Sequence, residues 1–310
     1  MQVPATFFGM VLGLGGLGNG WRTAARLGLA PGVVGEALAL ASVLVWAAWL
    51  GFYALRWFHD RDRVLAEARD PTGAFFASLV PTATMIAAIA LAPHWPAPAW
   101  AMALAGLAGG TLFAAWGIGS LWMGGRAPEA TTPILYMPTV GGGFVAAMTC
   151  AAFGMKDLGL LFFGAGLLSW LTMESVVVHR LILRTLPVSL RASLGLHLAP
   201  PAVACVAYLA VTDGPPDRLA QILFGYALLH ALVTLRMVPW LREQPFAPGA
   251  WAYTFGVSAL PLAALRLTER GLDGPSAALA LPLFAAANLI IGWIALRTLA
   301  LLVRGRLVSG

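Results

Sequence analysis

Long apolar runs separated by short polar breaks recur ten times along the chain, and that repetition limits what it can fold into. A helix needs about 20 predominantly apolar residues to cross the hydrocarbon core of a bilayer. Runs of this kind lie near residues 3–21, 32–56, 73–92, 97–123, 132–153, 157–179, 193–211, 218–238, 249–267 and 276–303. Charge clusters and turn signals separate them, such as Arg61-Asp62-Arg63, Pro93-His94-Trp95-Pro96 and Asp213-Gly214-Pro215-Pro216-Asp217. Only 10% of the 310 residues are charged, against roughly 25% in an average soluble protein. That is too few to cover a water-exposed surface of this size. The expected fold is all-α and integral to the membrane, with ten transmembrane helices. It is a single transmembrane domain over 1–310, because no linker is long enough to hold another.

The formal charge of +6 is carried by 18 arginines and one lysine, Lys156. These residues sit in short loops between apolar runs, not on a polar module, so no nucleic-acid partner is expected. Their distribution sets an orientation. With ten crossings and a cytoplasmic N-terminus, Arg22, Arg26, Lys156, Arg218, Arg266 and Arg270 fall outside, and the other thirteen of the 19 basic residues fall inside. The positive-inside rule then places both termini in the cytoplasm. Cys150 and Cys205 lie within apolar runs without metal-ligand spacing and read as free core thiols.

Helix breakers are shared unevenly among the segments. The first carries Gly9, Gly13, Gly15, Gly16, Gly18 and Gly20; the third has Pro81 in mid-span; the fifth has Pro138 and Gly141-Gly142-Gly143. The seventh has Pro200-Pro201 and the ninth Gly256 and Pro261, whereas the second, fourth and sixth have no internal proline; Pro239 lies at the end of the eighth, and Pro282 interrupts the tenth. Such breaks are tolerated at membrane depth where the freed backbone groups face protein or a water-filled cavity. This pattern predicts five helical hairpins, with the odd-numbered helices inside around a central pore. Gly9, Gly13, Pro81, Pro138, Gly142, Pro200, Gly256 and Pro261 are the candidates to line it. Glycine and proline also serve close packing of membrane helices, and the two readings require different surroundings for these residues.

Ionisable groups inside a membrane are candidate functional sites because burying them is costly. Glu174 in the sixth segment reads either as a proton or cation site or as half of an ion pair, with Arg236 at the end of the eighth segment as its partner. The second role suits an unbroken helix better. His197 and His230 read as lone histidines that pack or make a single hydrogen bond, and Asn288 as a polar contact between helices. Gly13-Leu14-Gly15-Gly16-Leu17-Gly18 satisfies the G-x-G-x-x-G pattern, but no strand precedes it and it lies within a span, so it is not a dinucleotide site. The sequence has no H-E-x-x-H, no G-x-S-x-G and no Walker loop. No enzyme activity, no cofactor and no metal is expected. Few acidic residues line the spans, which disfavours a cation path and leaves an anion path open.

Several stretches resemble the tellurite-resistance/dicarboxylate transporter family, which includes the plant guard-cell slow anion channels. They are Val3-Pro4-Ala5-Thr6-Phe7-Phe8-Gly9, residues 76–85, Tyr136-Met137-Pro138, residues 157–166, 198–205 and 223–230, Arg236-Met237-Val238-Pro239-Trp240, and Trp251-Ala252-Tyr253-Thr254-Phe255-Gly256. Eight such matches occur in order over ten segments. The resemblance implies a homotrimer in the bacterial inner membrane with one pore per protomer, a pore gate at Phe255 and a pore-wall glycine at Gly9. It implies small inorganic anions such as chloride or nitrate as the permeating species, with dicarboxylates or tellurite as further candidates. Here Val140-Gly141-Gly142-Gly143-Phe144 replaces the family's usual alanine and asparagine, which bears on local pore width and polarity. The function expected is an anion channel or channel-like transporter; the alternative is a proton-coupled dicarboxylate or tellurite transporter.

Overall fold

The computed structural model describes residues 5–70 and 73–307; Val3 and Pro4, which open the first expected segment, lie outside the described residues. Among the described residues every regular element is helical. In chain order the α-helices are α1 (Gly9–Arg26), α2 (Gly32–His59), α3 (Arg61–Arg69), α4 (Gly73–Phe76), α5 (Leu79–Leu91), α6 (Pro96–Trp122), α7 (Gly142–Ala152), α8 (Lys156–Leu183), α9 (Gly195–Val211), α10 (Arg218–Leu241), α11 (Thr254–Glu269) and α12 (Pro275–Val303).

Two kinds of segment alternate. The even-numbered segments form α2, α6, α8, α10 and α12, continuous helices of 24 to 29 residues. Each odd-numbered segment is built in pieces. The 3-10 turn Ala5–Phe8 leads into α1, and α4 stops before Ala77 and Ser78, after which α5 begins. A 3-10 turn Pro133–Leu135 and a π-helical stretch Met137–Gly141 lead into α7. The 3-10 stretches Val188–Leu194 and Pro248–Tyr253 lead into α9 and α11.

The breakers account for this construction. Pro81 is the third residue of α5, in the first turn, where an amide has no intrahelical partner in any case. What the sequence marks as a mid-span kink is thus the restart of a broken helix. Pro200-Pro201 and Pro261 remain inside α9 and α11. Serine and threonine hydroxyls take up backbone carbonyls around the breaks: Ser78 Oγ donates to Phe75 O (2.6 Å), Ser193 Oγ to Leu190 O (2.7 Å) and Thr254 Oγ1 to Trp251 O (2.8 Å).

Eight helical stretches among the described residues are long and apolar enough to cross a membrane, which makes the chain a multi-pass integral membrane protein. The other two expected segments form α1 and α11. α11 has 16 residues, about 24 Å of helix, which is short against a core of about 30 Å. α1 is rich in glycine and ends in Arg22 and Arg26. Neither needs a uniformly apolar surface, because both are enclosed by other helices. α1, α5, α7, α9 and α11 pack on one another in a closed ring, α11 returning to α1. α2, α6, α8, α10 and α12 lie against this ring, each packed on the ring helix before it in the chain. In three of the odd-numbered segments 61–83% of the span residues are buried, against 11–28% in the even-numbered ones. The latter expose rows of leucine, isoleucine and tryptophan, including Leu112, Leu161, Leu232 and Leu289, as a lipid-facing surface requires. Asn288 Oδ1 on α12 accepts from Trp21 Nε1 on α1 at 2.8 Å, an interhelical contact of the kind its position predicts.

Ring packing leaves no room at some glycines. A Cβ on Gly195 would stand 2.5 Å from Tyr253 N and 2.7 Å from the Ala252 carbonyl carbon, both backbone atoms, whereas nothing lies within 4 Å of one on Gly225 in α10. Gly195→Ala should destabilise the fold by about 1–3 kcal/mol, and Gly225→Ala should stabilise it by about 0.5–1 kcal/mol. Thermal unfolding in detergent reads both, as midpoints that move in opposite directions.

Candidate functional site

The ring encloses a cavity of about 500 Å³ to which all five inner helices contribute. Gly16 and Asn19 come from α1, Ile86 and Ile89 from α5, Met148 from α7, Val203 and Val206 from α9, and Phe255, Ser258 and Leu262 from α11. Its mouth lies among the connections that follow α7, α9 and α11. Lys156, Arg266 and Arg270 lie there with a single acid, Asp213. Lys156 Nζ meets Asp213 Oδ1 at 2.5 Å, and this ammonium holds the Asp213 carboxyl below its usual value. Arg270 engages carbonyls and a hydroxyl: Gly214 O (2.7 Å), Leu209 O (3.0 Å) and Thr212 Oγ1 (3.1 Å). Its positive charge is therefore not cancelled by these contacts. Arg266 shares Glu269 with Arg26. The rim is net basic.

A second, much smaller void of about 10 Å³ lies on the far side of Phe255, near the least volume that admits one water. It is lined by Tyr136, Met137, Gly141, Phe144, Leu196, Ala199, Pro200, Val203 and Phe255. Val203 and Phe255 border both spaces. Phe255 is 6% exposed and is the second residue of α11, where the 3-10 stretch gives way to α-helix. The break in the ninth segment thus fixes where this ring stands.

Of the residues singled out from the sequence, Phe255 and Pro200 border these spaces. Gly9, Gly13, Pro81, Pro138, Gly142, Gly256 and Pro261 are not among the residues lining either one. Several of them sit at close helix contacts instead. A Cβ on Gly13 would meet Thr254 Oγ1 at 2.2 Å and one on Gly256 would meet Ala199 N at 3.0 Å, whereas one on Gly142 would meet Met137 O of its own segment at 3.2 Å. Gly9 faces the Trp251 backbone at ordinary contact distance. Gly16 and Gly141, from the same glycine-rich stretches, do border these spaces, although a Cβ on Gly16 would also meet Ser258 Oγ at 2.2 Å. Sequence reasoning also missed the basic rim, whose members come from the start of α8 and the end of α11.

Glu174 does not pair with Arg236. Its Oε2 accepts from Tyr136 Oη (2.8 Å) and Trp170 Nε1 (2.9 Å), and its Oε1 lies 3.3 Å from His197 Nε2. Arg236 is exposed on α10, six residues past His230, or about 9 Å along the helix axis. Nor are His197 and His230 lone residues: their rings stack at 5.0 Å with 17° between planes. Pro201 supplies the reason. Lacking an amide hydrogen, it leaves His197 O without its intrahelical donor, and His230 Nδ1 lies 2.9 Å from that oxygen. Tyr136→Phe would leave Oε2 one donor short. It should cost about 1–3 kcal/mol, read as a lower unfolding midpoint in detergent.

The connection between α9 and α10 is held by Asp217, whose carboxylate caps α10 at Ala220 N (3.0 Å) and accepts from the Tyr208 hydroxyl. These bonds hold its carboxyl below the usual value, the Tyr208 bond most of all. The stabilisation is complete above the unfolded carboxyl value near 4 and is lost as pH falls through the lower folded value. Asp217→Ala should cost about 1 kcal/mol at neutral pH. Its deficit in unfolding midpoint against the unsubstituted protein should shrink on acidification below about pH 4.

The sequence pattern of the voltage-dependent anion channel family, SLAC1, matches residues 2–299, nearly the whole chain. The chain belongs to this family. It is 33% identical to the tellurite resistance protein TehA homolog of Haemophilus influenzae over 306 residues, covering 98% of this chain and 92% of that protein. It is 27% identical to the S-type anion channel SLAH2 of Arabidopsis thaliana over 94% of this chain, which spans 57% of SLAH2. A partial match, 26% over 174 residues, is to the S-type anion channel SLAH3 of the same plant. Family membership and the apolar helices agree on a multi-pass membrane protein.

Proposed function

We propose that the chain is an anion channel, or channel-like transporter, of the bacterial inner membrane. Small inorganic anions such as chloride or nitrate pass through the ring of inner helices, and Phe255 is the gate. Ten crossings form five hairpins with both termini cytoplasmic, and three such protomers, each with its own path, make the assembly.

The observation that carries this reading is that Phe255 borders both a 500 Å³ space and a void of about 10 Å³. A phenyl ring backed by so small a void excludes a hydrated ion both sterically and by keeping the constriction dry. The basic rim supports the sign of the permeant ion, because a mouth carrying three cationic side chains and one acid concentrates anions. Asp213 is the one carboxylate bordering either space, and Lys156 neutralises it. The names of the plant relatives, S-type anion channels, point the same way.

Phe255→Ala should pass a large anion-selective current in planar bilayers, at least tenfold above the unsubstituted channel at matched protein density, on the order of the removal of a kilocalorie-scale barrier. Equal currents from the two proteins would remove Phe255 as the gate. In the Phe255→Ala background, Arg266→Gln should lower single-channel conductance about twofold in dilute salt, and the difference should vanish at molar salt, where the Debye length is only about 3 Å.

The proton-coupled carrier is the second reading. It requires a titratable residue on the path, and Glu174 borders neither space, which favours the channel. Uptake that is abolished in Glu174→Gln, in a protein that still folds, would reverse that preference.

A further inference from the structure

We infer that Glu174, His197 and His230 form a binding site for one divalent transition-metal cation of the zinc class, beside the ring and independent of how anions pass through it. One ligand atom from each of the three lies within 4.8 Å of the others. The three residues come from α8, α9 and α10, so the cluster is a product of the fold and not of local sequence.

The hydrogen bonds around the cluster leave a place for a cation. Trp170 Nε1 can only donate, and it does so to Glu174 Oε2. Tyr136 Oη stands 2.8 Å from the same oxygen, a distance that requires the phenol proton between them, since two bare lone pairs would repel. The tyrosine proton is then used. His197 Nδ1, 3.2 Å from Tyr136 Oη, must be the donor of that contact. In a neutral imidazole this leaves Nε2 with a lone pair, and that lone pair faces Glu174 Oε1 at 3.3 Å. Two lone pairs face each other there, and a positive centre between them makes the arrangement favourable: a second imidazole proton or a metal ion.

Two features select the metal. First, 3.3 Å is about the separation of two ligands in a tetrahedral zinc site with bonds of roughly 2.0–2.1 Å. Second, His230 offers a third ligand atom within 4.8 Å of the other two, a span that a shared ion would draw in by tilting the ring out of its stack on His197. Its Nδ1 lies against the carbonyl oxygen that Pro201 leaves free; a carbonyl can only accept, so Nδ1 carries the proton and Nε2 keeps its lone pair. A ligating histidine fixed through its other nitrogen by a backbone carbonyl, and a ligating carboxylate whose second oxygen is itself hydrogen-bonded, are how such sites are ordinarily supported. Two imidazoles and one carboxylate suit zinc, cobalt or nickel and disfavour magnesium or calcium, which take oxygen ligands. A bound cation would tie α8, α9 and α10 together next to Tyr136 and Leu196, both of which wall the small void below Phe255.

The test uses the full chain in detergent, stripped with a chelator and titrated with Zn²⁺ by calorimetry, with Mg²⁺ as control. One Zn²⁺ per chain should bind with a micromolar or lower dissociation constant and raise the unfolding midpoint, while Mg²⁺ does neither. Glu174→Gln and His230→Gln should each weaken Zn²⁺ binding at least tenfold, and His179→Gln, on the exposed face of α8, should leave it unchanged. Co²⁺ added to the unsubstituted protein should give the intense visible bands of a tetrahedral site, a result that needs no variant to fold. Zn²⁺ binding no tighter than that of Mg²⁺, or only weak octahedral Co²⁺ bands, would overturn the proposal and leave a second proton on His197. Binding retained in both Glu174→Gln and His230→Gln would overturn it as well, by assigning the metal to other side chains.

Discussion

The backbone has no water to bond with inside a bilayer, and this constraint orders the whole molecule. A continuous helix satisfies its own amides and carbonyls, so it can face lipid. α2, α6, α8, α10 and α12 are of this kind, apart from the single bonds lost at Pro239 in α10 and Pro282 in α12, and they carry the exposed leucines and tryptophans. The five other segments are broken into 3-10, π and α pieces, which is tolerable only where protein supplies the missing partners. Those partners are found at the breaks: the hydroxyls of Ser78, Ser193 and Thr254, and the imidazole of His230. Breaking a segment and enclosing it are two sides of one requirement.

The same breaks determine what the centre of the ring can do. A change from 3-10 to α geometry re-aims the side chains that follow it, and Phe255 is the second residue after one such change. Small residues on neighbouring helices bring the backbones close, as Gly13 does against Thr254 and Gly256 against Ala199. The width of the central space is set by which side chains lie between these contacts. A wide end results where Gly16, Asn19 and Ser258 face inward, and a nearly closed one where Tyr136, Met137 and Phe144 do. Charge is confined to the wide mouth, where side chains can stay hydrated.

Glu174 shows how burial changes the meaning of a residue. A lone carboxylate on a membrane helix calls for a cationic partner, and Arg236 is the natural choice along the sequence. In the fold two neutral donors, Tyr136 and Trp170, take one oxygen, and His197 Nε2 lies 3.3 Å from the other. The second histidine is recruited by Pro201, through a carbonyl that the proline itself leaves unbonded. A helix defect on α9 thereby assembles a polar cluster with α8 and α10.

Much of this architecture was legible in the sequence because the signals for it are periodic or local. Apolar runs of about 20 residues mark crossings whatever their neighbours are, and the uneven sharing of glycine and proline separates broken segments from continuous ones before any contact is known. The reading of Phe255 as a gate comes from family resemblance, since nothing in its local sequence distinguishes a gate from a core aromatic. The rest was decided by tertiary structure. Whether a glycine that closes on α11 also borders the cavity, as Gly16 does beside Ser258, or only seals the contact, as Gly13 does against Thr254, depends on which face meets the next helix, and residues three apart on a glycine-rich helix carry no mark of that. The basic rim brings Lys156, which opens α8, to Arg266 and Arg270 at the end of α11, and the Glu174 cluster joins residues up to 94 positions apart, from Tyr136 to His230. Sequence spacing does not encode these distances; packing of the ring does.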